Sequence, residues 1–527
     1  MRSILYFLLL VLNISNATIA QTIAWAAKAG GNNTAAADRG NAIITDKKGN
    51  AYVTGTIYGT ATFGDTSISS KGGSDIFLAK YSNSGTLLWA RNDGGTGDDE
   101  GLAICLDDSG NCCLIINFNH QAIIGDDTLQ SNFNSYALIK YTADGEAIWA
   151  TNAGGESESG GAGVQTDNSG NLYIGFASHY AKYTSGGIKI WEKRFANIAS
   201  VNGVAWDGIN NMYITGNFSN SASFGSTTLT TPGLFDYDIF VAKIDSGGNA
   251  QWARQAGSRE NLSYPDNGTA ITVDEFGSAY VTGTFYGSAA FETDTVRSDT
   301  TGTMFLAKYN SLGMVDWVKG LQSHFYSSGS SLTTDSLDNC VVTGSFGGPA
   351  TFDMLSFDGK GFFILSTDPD GNPGRIFRTE NATATAFSLT TDLSANVYIT
   401  GSFSGQMSLT NSTLNASGAG DIFVAKEGLT TGVRENISMP GTFSLFQNYP
   451  NPFNPSTSIK FTIPHYAYVE LIIADIAGRE VERLQAGYLR AGSYEARWNA
   501  NRLSSGVYFC ELRYGHEGKI VKMTLIK

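Results

Sequence analysis

The feature that most constrains this chain is a unit of about 60 residues, written again and again from near the N-terminus to about residue 430. Its clearest copy runs from Asp75 to Asn111, DIFLAKYSNSGTLLWARNDGGTGDDEGLAICLDDSGN. An alternating run (Ile76, Leu78, Lys80 against Phe77, Ala79, Tyr81), the turn SNSG and a second run closing on Trp89 make one hairpin. After a polar, Gly-rich loop a second hairpin begins at Leu102 and turns at Asp107. A unit this small cannot bury a core alone, so the copies must stack on one another.

Two punctuation marks count the copies. A turn of the form Asp-x-x-x-Asn/Ser opens at Asp46, Asp107, Asp167, Asp207, Asp274, Asp335 and Asp392, with spacings of 61, 60, 40, 67, 61 and 57 residues. Each aspartate has a local reason to recur, because its carboxylate can accept turn amide hydrogens. Gly49, Gly110, Gly170 and Gly277 supply the left-handed residue, Asn210 and Asp338 tolerate it, and Ala395 does not. The second mark is a strand of the type DIFLAKY, at Asp75, Ser135, His179, Asp238, Thr303, Gly361 and Asp421. Six of these are followed by a further strand, centred on Trp89, Trp149, Trp191, Trp252, Trp317 and Ile376-Phe377. The seventh is not, yet the missing strand stands at the other end of the chain, where Thr22 to Ala26 copies LLWAR.

An open solenoid has no use for a displaced fourth strand, whereas a closed ring uses it to fasten the last blade to the first. The expectation is therefore an all-β, seven-bladed β-propeller closed by its N-terminal strand, which protects its sheet edges by radial repetition. The extra length over shorter propeller repeats falls in loops such as YGTATFGDTSISSKGGS between second and third strands, and the third copy lacks that insertion. Composition agrees: 62 Gly, 24 Tyr, 30 Phe and 16% charged residues suit short strands joined by turns. A net charge of −14 with no basic cluster argues against nucleic-acid binding.

The stretches DIFLAKYSNSGTLLWARNDGGTGDDEGLAICLDDSGNCCL and DIFVAKIDSGGNAQWARQAGS resemble the bacterial seven-bladed β-propeller repeat (SBBP) over about 400 residues. That resemblance implies a fold and assigns no catalytic residue.

The ends carry different signals. Arg2, the apolar run Ile4 to Leu12 and Thr18-Ile19-Ala20 form a signal peptide over residues 1–20, leaving a propeller from Gln21 to about 430. After a linker at 431–442 the period stops, prolines cluster, and short alternating runs from SIKFTIP to KIVKMTLIK suggest a small β-sandwich over 443–527. Asn448, Pro450, Asn451, Pro452, Phe453, Asn454 and Pro455, then Gly506 with Tyr508, and the terminal Lys522, resemble the type A C-terminal sorting domain of the type IX secretion system. The resemblance implies an Ig-like sandwich that partners the type IX machinery, and export through the outer membrane to the cell surface or medium.

Chemistry is sparse. The five histidines lie at His120, His179, His324, His465 and His516, with no Cys/His spacing suited to zinc, and no GxSxG elbow is present. Asp98-Asp99-Glu100 could pair carboxylates for sugar chemistry but suits a solvated loop, and Asp368 to Asn372 opens like a calcium loop without its later Gly and Glu. The five cysteines include Cys105 and Cys113, which face each other across a hairpin either as a disulfide or as two buried thiols. No catalytic residue, metal site or cofactor is assigned.

Strand order puts the short turns on one face and the fourth-to-first and second-to-third connections on the other, where alone the repeats vary. Candidate binding residues there are Asp98, Asp99 and Glu100, Glu156 and Glu158, Arg259, Glu260, Tyr264 and Asp266, and His324, Phe325 and Tyr326. Aromatic rings beside carboxylates suit a glycan or glycoprotein partner. The expected function is a non-enzymatic binding or adhesion module; the alternative is a secreted polysaccharide- or protein-degrading enzyme using the same face.

Overall fold

The computed structural model describes residues 21–429 and 443–527, apart from 159, 234–235, 259–263, 293, 299–301, 324, 337, 381, 464–466, 490–491, 502 and 515–516. The signal peptide expected at residues 1–20 and the linker expected at 431–442 lie outside the described residues. The chain divides into two compact units, one built mainly from the repeats and one mainly from the C-terminal strands.

The first unit is a seven-bladed propeller. Blade 1 comprises Arg39–Thr45, Ala51–Phe63, Thr66–Tyr81 and Leu87–Asp93, hydrogen-bonded antiparallel in that order. Five more blades repeat the pattern. Blade 7 takes three strands from its own repeat, Thr383–Thr391, Val397–Ser404 and Asp421–Leu429, and its fourth from Gln21–Gly30. That strand pairs Trp25 with Lys426 and Ala29 with Ile422, so the displaced segment closes the ring as expected.

Consecutive blades are latched by the tryptophan of each fourth strand. Its ring lies on the turn glycine of the next blade, pairing Trp25 with Gly85, Trp149 with Gly187, Trp191 with Gly248, Trp252 with Gly313 and Trp317 with Gly371. These glycines hold φ between +80° and +86°, and a Cβ on Gly85 or Gly313 would come within 2.5 or 2.6 Å of indole carbons. Only glycine fits both the conformation and the contact. The indole N–H then donates into the same turn, as Trp25 does to Asn83 O at 2.9 Å and Trp252 to Ser311 O at 3.1 Å. Trp89 makes the ring contact with Gly145, and Arg91 beside it donates to Asp144 O at 3.3 Å. Blade 6 has no tryptophan there, since the register puts Arg375 at that position and Phe377 two residues on, and its join to blade 7 rests on apolar packing that includes Phe362 stacked on Phe423 at 5.2 Å.

The Asp-x-x-x-Asn turns behave as their chemistry requires. Asp46 Oδ1 accepts the amides of Lys48 and Asn50, both at 2.9 Å, and Asp107 and Asp167 repeat the pattern. Two local expectations need correction. Ala395 does adopt the left-handed conformation, at φ +58°, held by the Asn396 amide and side chain on Asp392. In the fourth repeat Gly208, at φ +74°, is the left-handed residue in place of Asn210. Cys105 and Cys113 are register partners as expected, and both are buried free thiols.

The insertions between second and third strands are hairpins rather than loops, and most reach across a seam. Ala256 to Ser258 of blade 4 pair with Phe291 to Ala289 of blade 5's hairpin, and Leu321 to Ser323 of blade 5 with Phe352 to Ala350 of blade 6's. Ala29 and Gly30 pair likewise with Phe63 and Thr62. The third blade turns directly from Phe176 to His179 and has no such hairpin.

The second unit is a sandwich of a three-stranded sheet and a four-stranded sheet over a core of Phe453, Phe461, Leu471, Trp498, Leu512 and Met523 among others.

Deleting Gln21 to Gly30 removes a fourth strand, one tryptophan latch and the cover of blade 7's edge. Thermal denaturation of that deletion should show a loss of several kcal/mol, on the order of a buried-aromatic truncation or more, with concentration-dependent association through the bared edge. An unchanged melting temperature in a monomer would refute ring closure.

Candidate functional site

The two faces of the propeller are chemically distinct. On the short-turn face the aspartates that open the turns and several third-strand lysines are spent within the ring. Lys140 pairs with Asp107 at 2.8 Å and Lys426 with Asp392 at 3.4 Å, while Lys80, Lys182, Lys308 and Lys426 lie over the rings of Tyr52, Tyr173, Tyr280 and Tyr398. Tyr398 Oη donates onward to Gly49 O of blade 1 at 2.9 Å, and Tyr213 Oη to Gly277 O at 3.0 Å. Such a network carries blade-to-blade cohesion and leaves little to offer a ligand.

The first strands line a central channel of about 440 Å³. Its polar side chains also bridge blades: Asn41 Nδ2 donates to Glu100 Oε1 and Gly101 O, both at 2.9 Å, and Asn202 Nδ2 to Asn267 Oδ1 at 2.7 Å. Glu100, expected at the mouth, is thus half-buried and held by the neighbouring blade.

Two expected mouth residues are corrected outright. Asp99 and Asp266 are 0% and 1% exposed and face inward. Asp99 accepts the amides of Gly95 at 2.6 Å and Asn119 at 3.0 Å; Asp266 accepts those of Ser258 at 2.6 Å and Tyr286 at 2.8 Å. Asp38 does the same for Gly31 and Tyr58. Each carboxylate ties the end of one blade's fourth strand to the end of the next blade's second strand, which is why an acid recurs there. Asp98 is exposed, with Oδ1 accepting the Ser74 amide at 3.0 Å.

Aromatic groups remain on the variable face. Tyr264, 62% exposed, stacks on Tyr286 with centroids 5.1 Å apart and planes 20° apart. One blade on, Phe325 and Tyr326 are 59% and 41% exposed, and Tyr326 packs on Gly347, where a Cβ would lie 3.1 Å from the ring. Tyr286 was not singled out in the sequence, although its place at the end of a second strand beside an Asp-anchored loop was readable. Arg259, Glu260 and His324 lie outside the described residues.

Structure also gathers a group that sequence separation concealed. His179 Nδ1 lies 2.6 Å from Glu192 Oε1 and Nε2 3.4 Å from Glu158, with Phe176 stacked at 5.0 Å and Arg194 2.6 Å from Glu158. Both ring nitrogens and one ring face are occupied, at the end of the third blade where the hairpin is missing. Glu156 is exposed, accepting from Ser131 at 3.2 Å.

In the C-terminal unit, the proline-rich motif clamps the last strand, Glu517–Leu525. Asn451 accepts the Thr524 amide at 2.9 Å and donates to Lys522 O at 3.2 Å; Phe453 bonds through its backbone to Thr524 and Ile526, and its ring packs 5.3 Å from Trp498. Asn448 is buried, donating to Pro450 O and Thr457 Oγ1. Tyr508, opposite Met523, packs on Trp498, and its hydroxyl bonds Ser504 O. Gly506 pairs with Leu525. Pro450, Pro452, Asn454 and Lys522 are exposed, as is Tyr449 at 82%, while Pro455 is half-buried.

Comparison with known proteins follows the same division. Residues 447–527 match the secretion system C-terminal sorting domain and residues 251–284 the beta-propeller repeat. The regulatory protein FlaEY of Caulobacter vibrioides is 28% identical over 140 residues, covering 25% of this chain and 15% of that protein. An uncharacterized WD repeat-containing protein of Acanthamoeba polyphaga mimivirus is 23% identical over 267 residues, covering 45% of this chain and 17% of that protein. The matched regions thus span less than a fifth of either curated relative. Among solved structures, the WD40 domain of Neurospora crassa Pan2 is similar at a TM-score of 0.40 and 9% identity, covering 75% of this chain and 90% of that one.

Burial raises several seam acids: Asp38 and Asp99 are pushed up to about 6, and Glu427 to about 7, desolvation outweighing the amide bonds on the first two and Arg375 near the third. These groups hold protons in the folded chain that the unfolded chain has already released, so between their ordinary values and pH 7 stability falls as pH rises. The melting temperature should therefore decline from about pH 5 to about pH 8. A profile rising across that window would show these acids to be ionised and compensated in the fold.

Proposed function

We propose that this beta-propeller-repeat protein, which carries a type IX sorting domain, is a non-enzymatic binding module delivered to the cell surface or medium, with a glycan or glycoprotein ligand on its variable-loop face. The observation that carries the reading is the pair of aromatic platforms on that face, Tyr264 stacked on Tyr286 and the neighbouring Phe325 and Tyr326, with Tyr264, Phe325 and Tyr326 exposed. A sugar's apolar face gains most from an exposed, rigidly backed ring, and its hydroxyls from polar neighbours. A rigid scaffold with variable loops is also the usual home of specificity. Delivery rests on the sorting domain and on the signal peptide read at residues 1–20. Among the described residues no helix is long and apolar enough to cross a membrane.

Two measurements test the reading. In a host with the type IX pathway, removing residues 443–527 should leave a folded propeller in the periplasm; delivery unchanged by the truncation would end the export part. Replacing Tyr264 and Tyr326 by Ala should abolish binding to whichever ligand a glycan and matrix-protein screen identifies, at a stability cost within about 1 kcal/mol because both are surface residues. Binding that survives both changes places the site elsewhere, and depolymerisation of a polysaccharide by the intact protein would favour the enzymatic alternative.

A further inference from the structure

The variable face is zipped at some seams and open at others. At the seams of blades 4 and 5 and of blades 5 and 6, the second-to-third hairpin pairs onto the preceding blade's fourth strand. The hairpin of blade 7, Gln406–Leu409 with Ser412–Asn415, forms a two-stranded sheet of its own, and among the described residues blade 6's fourth strand, Pro373–Arg378, is not paired with it. Between them lies a cavity of about 440 Å³, with Phe377, Arg378 and Glu380 on one side and Ser408 and Thr410 on the other. A second cavity, of about 410 Å³, shares Arg378 and Glu380 and is otherwise lined by Gly348, Asp358, Gly359 and Lys360 of blade 6.

This cleft continues the line of the aromatic platforms. Gly348, on its wall, follows Gly347, the glycine under the Tyr326 ring. Next to Tyr326 in the chain, the Ser327 amide donates to Gly302 O at 3.0 Å, and a Cβ on Gly302 would lie 3.2 Å from Cε1 of Tyr286. Tyr286 in turn backs Tyr264, with ring centroids 5.1 Å apart. Every step is a contact or a chain bond, so one path runs from Tyr264 of blade 5 past Tyr326 to Arg378 at the seam of blades 6 and 7. The cleft at its end is balanced in charge, Lys360 and Arg378 against Asp358 and Glu380, and Arg378 meets Glu380 only at 3.9 Å. Groups of both signs donate to and accept from hydroxyls while offering no net charge to an ionic ligand. The chain's net charge of −14 also repels polyanions.

We propose that this path binds the interior of a neutral, linear polysaccharide, with sugar rings on Tyr264 and on Phe325 and Tyr326 and the hydroxyls of a further sugar between Arg378 and Glu380. The inference rests on the glycan reading above and goes beyond it in fixing the ligand's length, charge and course. A single terminal sugar fills one platform; only a chain joins both platforms to the cleft. Once one sugar is seated, each further contact forms within the complex, so affinity builds with chain length rather than through any one residue.

The test titrates the full chain by calorimetry with oligomers of β-1,4-linked glucan, mannan and xylan, from the single sugar to the hexamer, and with a hexamer of galacturonic acid as the charged probe. At least one neutral series should bind, with affinity rising about tenfold or more from dimer to hexamer. The uronate hexamer should bind more weakly than the neutral one. Arg378→Ala should weaken the neutral hexamer about fivefold or more with the melting temperature unchanged, and Tyr264→Ala should do the same from the opposite end of the path. Equal binding of dimer and hexamer, a hexamer indifferent to Arg378→Ala, or tighter binding of the uronate overturns this inference while the glycan reading stands. Absence of binding by all three neutral hexamers overturns it as well, and the wider reading is then decided by the glycan and matrix-protein screen.

Discussion

The architecture depends on one contact repeated around the ring: an indole lying on a left-handed glycine of the next blade. A four-stranded sheet of this size has two apolar faces and too little core to stand alone, so its free energy comes from the neighbour. The tryptophan supplies the largest apolar surface a residue can, and its N–H removes one turn carbonyl from solvent competition. Because the glycine admits no side chain, the two backbones approach closely, and the contact fixes the angle between blades as well as their adhesion. Among the described residues the one seam without this latch is the join of blades 6 and 7, where Arg375 stands at the tryptophan's register position and Glu427 is buried at the end of the third strand.

Most of the fold was legible because its determinants are local or recur at fixed spacing. The aspartate turns bond their own amides within five residues, and the orphan strand at Trp25 betrays itself as a copy out of place. What was illegible involves partners in other repeats. The insertions look like loops since the edge they pair with belongs to the preceding blade, about 35 residues upstream in the case of Phe291 and Ala256. Asp99 and Asp266 look like solvated acids for the same reason, since the amides of Asn119 and Tyr286 converge on them only after two strands have folded. Ala395 shows the limit of conformational rules: the Asp392 and Asn396 bonds outweigh the left-handed strain of a single Cβ.

The sorting motif follows a similar logic. Its buried members, Asn448 and Phe453, and the paired Asn451, hold the final strand against the sheet, which explains why the motif and the chain's last residues belong together though some 70 residues separate them. The exposed prolines and Tyr449 are then presented on a rigid edge. The clamp forms only when both ends of the domain are in place.

Function, in turn, is confined by how completely cohesion consumes one face. The turn-opening aspartates and the third-strand lysines and second-strand tyrosines they meet on the short-turn side are bonded or packed within or between blades, so a change at those positions to accommodate a ligand would cost ring stability. Connections on the opposite side carry their structural load on backbone amides and on a few buried acids beneath the surface. Side chains above those acids are therefore free to vary from blade to blade, and Tyr264, Phe325 and Tyr326 occupy positions where a bulky aromatic costs the scaffold nothing.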